Sequence, residues 1–287
     1  MLAATTAESP WVWEARPDVW LLVVALAGGY WWSVTRLRSA FAAPPPRTAE
    51  LVRYGAGVAV LWLAVDWPLD RIGDDYLFSV HVLQFVMIAL IAAPLLLTGV
   101  PTWLQTEILR PIQPLVNRLS KAPVALIVFQ GVLVGTHLPV VVELYASNSI
   151  VHFALHALWL LSGLLFWLPV LGAEPVNRPL RPPLKIAYLI GATIVPTIPA
   201  SFLTWAETPF YEPYASAPRL WGLSPIEDLQ LAGALMKVGG GTILWGFILW
   251  VFVAWASSES GTSSRRDPAV RRTGSSQLNA APPPPPV

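Results

Sequence analysis

The four histidines are the residues of this chain best suited to chemistry, and all of them fall within apolar segments. His152 and His156 are four residues apart, which on a helix places both rings on one face with Cβ atoms about 6 Å apart. Two such imidazoles can share one metal ion, and imidazole suits copper, zinc and iron. His81 and His137 lie in two other apolar segments. Because ionisable side chains in such segments are functional candidates by default, we interpret the four histidines as a candidate metal site.

The absence of cysteine narrows the chemistry of this site. It excludes disulfides, thiolate ligands, iron–sulfur clusters and covalently attached haem. A copper site must then be built from histidine and methionine, and the thioethers of Met87 and Met236 would suit Cu(I). Further polar residues are candidates to hydrogen-bond to the ligands and orient them. They are Asp66, Gln84, Asp228, Gln230 and Lys237. For Asp228 the alternative is a cap at the start of the last helix.

The segments that carry these residues indicate a membrane protein. Of 287 residues, 55% are hydrophobic and only 12% are charged, about half the charged fraction of a soluble domain. A bilayer core needs about 20 apolar helical residues to cross it. The predicted helices are Asp18–Thr35, Leu51–Val65, Leu77–Thr98, Ala122–Val142, Ile150–Leu171, Leu184–Trp205 and Leu229–Ala256. We therefore predict an all-α, polytopic protein with seven transmembrane helices in residues 18–256.

The flanking segments are predicted to lie outside the membrane domain. Residues 1–17 lack the basic region of a cleaved signal peptide, so we interpret the first apolar segment as a retained helix. Residues 257–287 are polar and then proline-rich, and are predicted to be a disordered tail. The net charge of +1 gives no reason to expect nucleic-acid binding.

The basic residues predict the orientation, because cytoplasmic loops of membrane proteins retain lysine and arginine. Alternate loops and the tail contain 14 of the 18 basic residues, the opposite loops contain three, and Lys237 lies inside the last helix. This places the N-terminus outside and the C-terminus in the cytoplasm. The outer loops are acidic and aromatic, with Asp70, Asp74 and Asp75 in one of them. With this orientation, all four histidines fall in the outer third of the membrane.

Four runs of the sequence resemble the CtaG-type, seven-helix cytochrome c oxidase assembly family. They are SVHVLQFVMIALIAAPLLLTGVP (79–101), HLPVVVELY (137–145), SIVHFALHALWLLSGLLFWLPVLGAEP (149–175) and WGLSPIEDLQLAGALMKVGGG (221–241). The characteristic polar positions of that family correspond here to His81, His137, His152, His156, Asp228 and Gln230. Two positions depart from its pattern. Phe85 stands where a histidine is usual, and Lys237 stands where an aromatic residue is common.

The resemblance implies a membrane factor, not an enzyme, in the inner membrane of a bacterial cell that is needed to mature cytochrome c oxidase. Its expected cofactor is copper, as Cu(I), and its expected partners are oxidase subunits, a periplasmic copper carrier and the lipid bilayer. Two alternatives stay open. One is a haem-binding membrane protein with two histidine ligands, and the other is an assembly partner that binds no metal. A transporter is a further reading, with Gly239–Gly241 and Pro196–Pro199 as hinges, although no internal repeat supports it.

Overall fold

The computed structural model describes residues 9–265, and within this range the chain forms helices and no β-strand. A helix begins at Pro17 because proline fits the first turn, where its missing N–H is not needed. In chain order the helices are α1 (Pro17–Ala40), α2 (Thr48–Val65), α3 (Leu69–Asp75), α4 (Phe78–Gly99), α5 (Thr102–Leu119), α6 (Ala122–Thr136), α7 (Pro139–Ser147), α8 (Ser149–Leu171), α9 (Pro182–Thr204) and α10 (Glu212–Ser216). The last helix, α11, comprises Pro225–Ala234, a π-helical segment Leu235–Gly240, and Gly241–Arg265.

The helices confirm an all-helical, multi-pass membrane protein. Six spans in the described range are long and apolar enough to cross a membrane, and they match six of the predicted helices. A seventh candidate span is formed by α5 and α6 taken together, with a bend of 91° between them. The prediction of one continuous helix over Ala122–Val142 is wrong. The helix ends at Thr136, and α7 begins at Pro139, which has no N–H to continue the hydrogen bonding.

The ends of the chain are described only in part. Helix α11 extends to Arg265, into the region predicted as a polar tail. The remainder of that tail, residues 266–287, and residues 1–8 of the predicted N-terminal segment lie outside the described residues.

Helix α4 lies at the centre of the bundle and is largely buried between α2, α8 and α11. The backbones of α4 and α8 approach closely at Gly163, where a Cβ atom would stand 2.8 Å from the carbonyl oxygen of Ala89. That carbonyl accepts a hydrogen bond from the Trp167 indole at 3.1 Å. Pro94 lies five residues after Ala89, just past the π-helical segment Val86–Ala92 of α4, and has no N–H to offer this carbonyl. Small residues such as Gly163 set the spacing between helices within membranes.

The loops between the helices lie at the two ends of the bundle. At one end, which we call the histidine end, α4, α8 and α11 begin, and α3 and α10 cover them. At the other end, the segments after α4 and α8 meet through a hydrogen bond of 3.0 Å from Gln113 to the Val176 carbonyl. These two segments contain the basic residues Arg110, Arg118, Lys121, Arg178 and Arg181. The loops that the sequence assigns to the cytoplasm therefore lie together, away from the histidines.

Candidate metal centre

Three histidine rings from two helices converge at the histidine end. His81 lies in the first turn of α4, and His152 and His156 lie in the first two turns of α8. One ring nitrogen from each can be chosen so that all three lie within 4.8 Å of one another. The ring centre of His81 is 6.1 Å from that of His152 and 6.2 Å from that of His156. We call these three residues the histidine cluster.

His81 is the residue of the cluster whose two ring nitrogens make no hydrogen bond. It is only 2% exposed, and neither of its ring nitrogens has a hydrogen-bond partner. The ring stacks on Tyr145 at 4.5 Å and meets the edge of Trp159 at 4.9 Å between ring centres. A buried polar group without a partner costs about 1–3 kcal/mol. Such a group in a native protein calls for an explanation such as an ion or water.

The other two rings form a chain of polar contacts that begins at a carboxylate. Asp74 Oδ2 lies 2.9 Å from His152 Nδ1, and His152 Nε2 lies 3.1 Å from His156 Nε2. A carboxylate on the second nitrogen of a histidine fixes its tautomer and ring orientation and raises its basicity as a metal ligand. Asp74 thus orients the ring of His152 so that His152 Nε2 faces His156.

The start of α4 is held by a residue of the last helix. Asp228 is buried and accepts hydrogen bonds from the backbone N–H groups of Phe78 at 2.7 Å and Ser79 at 3.0 Å. These are two of the N–H groups that a helix leaves free in its first turn. The side chain that caps α11 itself is Ser224, in a capping box with Glu227. Asp228 therefore fixes the position of His81 through the backbone and does not contact its ring.

Two tyrosines tie the covering segments to the same place. The Tyr214 hydroxyl donates to the Gly73 carbonyl at 2.7 Å and lies 3.3 Å from the Tyr145 hydroxyl. Burial raises the pKa of Tyr214 well above its ordinary value, so the hydroxyl remains a donor. Because Tyr145 stacks on His81, this link connects α10 and α3 to the cluster.

His137 is placed near the cluster but apart from it. It follows the last residue of α6, and its Nδ1 bonds the Leu133 carbonyl at 2.6 Å. Its ring meets Phe78 and Phe85 edge-on, with ring centres 5.9 Å and 6.2 Å apart. The Tyr211 hydroxyl donates to the His137 carbonyl at 2.9 Å. The surroundings of His137 are those of a packed core residue.

Phe85, which replaces a histidine of the family pattern, packs as a core residue. It is 2% exposed and lies against Phe129 and Trp159, with ring centres 6.0 Å and 5.4 Å away. One face of this side chain lines an apolar cavity. Phe85 therefore lies between Trp159, which contacts His81, and the apolar cavity.

The two candidate methionines are described by their apolar surroundings. Met236 is buried and lines the apolar cavity, which has a volume of about 720 Å³ and is bordered by α9 and α11. Met87 is partly buried and packs on the hydrophobic core.

The remaining predicted supporting residues have other partners. Asp66 accepts from the indoles of Trp20 at 3.0 Å and Trp62 at 2.5 Å. Gln84 donates to the Ala64 carbonyl at 2.7 Å and to Asp70 Oδ1 at 3.2 Å.

The last two predicted supporting residues lie on α11. Gln230 is exposed and donates to the Ala206 carbonyl at 3.3 Å. The Lys237 ammonium lies 4.9 Å from the Trp205 ring centre, a cation–π distance. Of all the predicted supporting residues, only Asp228 and Gln84 act near the histidines, and both act indirectly.

Sequence reasoning missed the residues that do contact the rings. Asp74 was placed only among acidic residues of an outer loop, whereas it ends α3 with its carboxylate on His152. The available signal is the spacing of Asp70 and Asp74, four residues apart like the two histidines of α8. Tyr145 and Trp159 offer no comparable signal, because aromatic residues make up 11% of the chain and occur in most of its helices.

The donor set fits a transition-metal ion. Ligand nitrogens at about 2.0 Å from an ion lie about 3.3–3.5 Å apart in trigonal or tetrahedral geometry. The cluster nitrogens lie between 3.1 Å and 4.8 Å apart, so ring rotations that move them by roughly 1 Å would complete a site. The unpartnered nitrogens of His81 are the observation that this fit explains.

The fold and the site together define a polytopic, all-helical membrane protein with a buried histidine cluster at one end. The family model of the cytochrome c oxidase caa3 assembly factor (Caa3_CtaG) matches residues 28–258. This match spans most of the chain, and the protein belongs to that family. Searches of curated proteins and of solved structures gave no match.

Proposed function

We propose that this protein assists the assembly of cytochrome c oxidase by holding copper, as Cu(I), in the histidine cluster. The family membership supports the oxidase as the client. The observation that carries the copper part is the convergence of three ring nitrogens within 4.8 Å, with both nitrogens of His81 unpartnered. Imidazole is a ligand that copper accepts, and the chain has no cysteine to compete.

The proposed orientation has the histidine end on the outer side of a bacterial inner membrane, with seven spans and a cytoplasmic C-terminus. Basic loops remain in the cytoplasm, and the basic segments after α4 and α8 lie at the opposite end of the bundle. A periplasmic copper carrier would then have access to the acidic surface next to His152. An oxidase subunit would take the copper from the same side.

Ligation of a haem by two histidines has less support. A porphyrin must lie between its two axial ligands, but the rings of the cluster are in contact with each other and with Tyr145 and Trp159. The apolar cavity next to Met236 is lined by no histidine. We therefore retain copper, with a metal-free assembly role as the outcome that the test below can return.

The binding test compares His81→Gln and His156→Gln with a matched control, His137→Gln. Protein in detergent would be loaded with Cu(I) under reducing, anaerobic conditions and its copper measured by elemental analysis. We expect about one copper per chain in the wild type and in His137→Gln, and a loss of at least about tenfold in affinity for the other two. Wild-type protein without copper would contradict the metal part of the proposal.

The assembly test is made in cells from which the gene has been deleted. Complementation with the wild type should restore oxidase activity, and His81→Gln should restore it only when copper is added to the medium. If a variant lacking all three histidines of the cluster restores full activity without added copper, the protein acts as a metal-free partner. If the wild type restores nothing, the oxidase is not its client.

A further inference from the structure

His152 belongs to two groups of potential metal ligands. Its Nε2 faces the histidine cluster, and its Nδ1 faces Asp74. Asp70, Asp74 and His152 can also place one ligand atom each within 4.8 Å of one another. We call these three residues the outer group, because they lie between the histidine cluster and the surface of the bundle.

The outer group lines a cavity whose lining includes His152 but neither His81 nor His156. This cavity, the vestibule, has a volume of about 590 Å³ and includes the exposed residues Glu14 and Asp18 at its margin. Its lining contains five carboxylates against two guanidinium groups, those of Arg16 and Arg71. Fields of one sign in a cleft concentrate ions of the opposite sign. The vestibule is therefore suited to collect cations next to His152.

One polar atom indicates that a cation belongs in the outer group. Asp74 Oδ1 is buried and has no hydrogen-bond partner, although Oδ2 of the same carboxylate contacts His152. Asp70 is 1% exposed and is already paired, since Gln84 donates to its Oδ1 and the Arg16 guanidinium contacts its Oδ2. A buried carboxylate requires a paired charge or a metal, and for Asp70 that charge comes from Arg16, whose side chain is itself partly exposed.

We propose that Asp70, Asp74 and His152 form a second, outer metal site for a divalent transition ion such as Zn²⁺. Two carboxylate oxygens and one imidazole are donors that such ions accept. A neutral imidazole has only one nitrogen with a free lone pair. His152 can therefore serve the outer site through Nδ1 or the histidine cluster through Nε2, but not both at once.

This arrangement makes the outer site an entry position for the copper site of the proposed function, on which this part of the inference rests. An ion that moves inward exchanges two carboxylate oxygens and Nδ1 for three ring nitrogens. Copper makes this move as Cu(I), the state that it has in the histidine cluster, so that no reductant is needed, and Cu(I) prefers the ring nitrogens to the carboxylates. The ring proton of His152 moves from Nε2 to Nδ1, where Asp74 accepts it in a hydrogen bond. Arg16 must leave Asp70 before an ion can enter.

The test counts zinc ions bound per chain by purified protein in detergent, using elemental analysis after removal of free metal. We expect one Zn²⁺ in the wild type, because His152 is shared. The double variant His81→Ala/His156→Ala, which leaves the outer group intact, should still bind one Zn²⁺. Adding Asp70→Asn to that double variant should abolish binding. Two zinc ions in the wild type would overturn the exclusion, and no zinc in the double variant would overturn the outer site.

Two further measurements distinguish the loss of a metal site from the misfolding of a variant. One is a competition between Cu(I) and zinc in the wild-type protein, and the other uses a variant of Arg16. Wild-type protein loaded first with Cu(I) should take up less than about a tenth of the zinc that it takes up alone. In the double variant, Arg16→Gln should tighten zinc binding about tenfold, since a competing cation is removed. Unchanged affinity would contradict the entry role of Arg16. Wild-type protein that holds no Cu(I), while the double variant holds Zn²⁺, would overturn the proposed function and leave the outer site standing.

Discussion

The histidine end and the apolar cavity beside Lys237 show how differently ligand atoms and open space are distributed in this protein. The cavity measures about 720 Å³ and has Lys237 and the thioether of Met236 in its lining, but no histidine or carboxylate. At the histidine end, three imidazoles and two carboxylates meet where rings already touch. Pocket size is the usual guide to a ligand site. Here the donor atoms indicate the site, and a bare metal ion needs no large cavity.

The two regions also differ in how their polar groups are held. Asp228 and Asp74 each connect a different helix to the site, one through the α4 backbone and one through the His152 ring. Lys237 contacts only the face of an exposed tryptophan among the described interactions of its side chain. Residues held by several partners keep a fixed geometry, which metal ligands require. Substitutions at five positions test this difference between the two regions.

The largest effect is expected for Gly163→Leu. A Cβ atom at this position would stand 2.8 Å from the carbonyl oxygen and 2.9 Å from the Cα of Ala89, so α8 must move away from α4. We expect a loss of about 3 kcal/mol in stability together with loss of copper binding, because the cluster spans these two helices. Thermal unfolding in detergent measures the first effect. The control is Gly131→Leu, where nothing lies within 4 Å of the added atom.

The second effect is expected for Asp74→Asn. Removing the carboxylate that orients His152 should lower Cu(I) affinity by about 10–100-fold while the thermal midpoint changes little. Competition with a chelator of known affinity measures this loss. Asp75→Asn is the matched control, since it removes the same charge from the neighbouring residue. Equal losses in both variants would mean that the charge of the vestibule matters and the contact with His152 does not.

A smaller effect is expected for Asp228→Asn. An amide offers one acceptor oxygen in place of two, so one of the N–H groups of Phe78 and Ser79 loses its partner. We expect a loss of about 1–2 kcal/mol in stability and a decrease of several-fold in copper affinity, since His81 is displaced but not removed. Glu227→Gln, next to it on the exposed face, should change copper affinity far less. Full copper affinity in Asp228→Asn would show that the backbone cap does not position His81.

The smallest effect is expected for Met236→Leu, alone or with Lys237→Phe. Both residues line the apolar cavity, whose lining includes no histidine. Copper affinity should stay within about twofold of the wild type. A marked loss of copper binding would instead show that the two regions act as one site, as the sequence pattern alone suggested for Met236.

Much of the fold could be predicted from the sequence because the membrane leaves few alternatives. Apolar segments of sufficient length must form helices to satisfy their backbone groups, and six of the seven predicted helices correspond to single spans. The break after Thr136 was not foreseen, since prolines are tolerated within transmembrane helices as well as at their ends. The grouping of His81 with His152 and His156 followed from helix direction and depth.

The site residues that were not predicted depend on side-chain direction. His137 lies at the predicted depth, but its ring bonds the Leu133 carbonyl instead of pointing at the cluster. Asp66 lies near the predicted depth along its helix, but its carboxylate accepts hydrogen bonds from the indoles of Trp20 and Trp62. Depth along a helix is set by counting residues, whereas the direction of a ring depends on the rotation of the helix and on its neighbours.

The sequence by itself determined the class of protein, the level at which the histidines lie, and the pairing of His152 with His156. These properties depend on local composition and on the fixed rise and turn of an α-helix. Only the tertiary structure decided that Asp74 holds His152, that Asp228 caps α4, and that His81 lies across from α8 with unpaired nitrogens. These contacts join residues far apart in the chain. Their geometry depends on how closely α4 and α8 approach at Gly163, which no local pattern encodes.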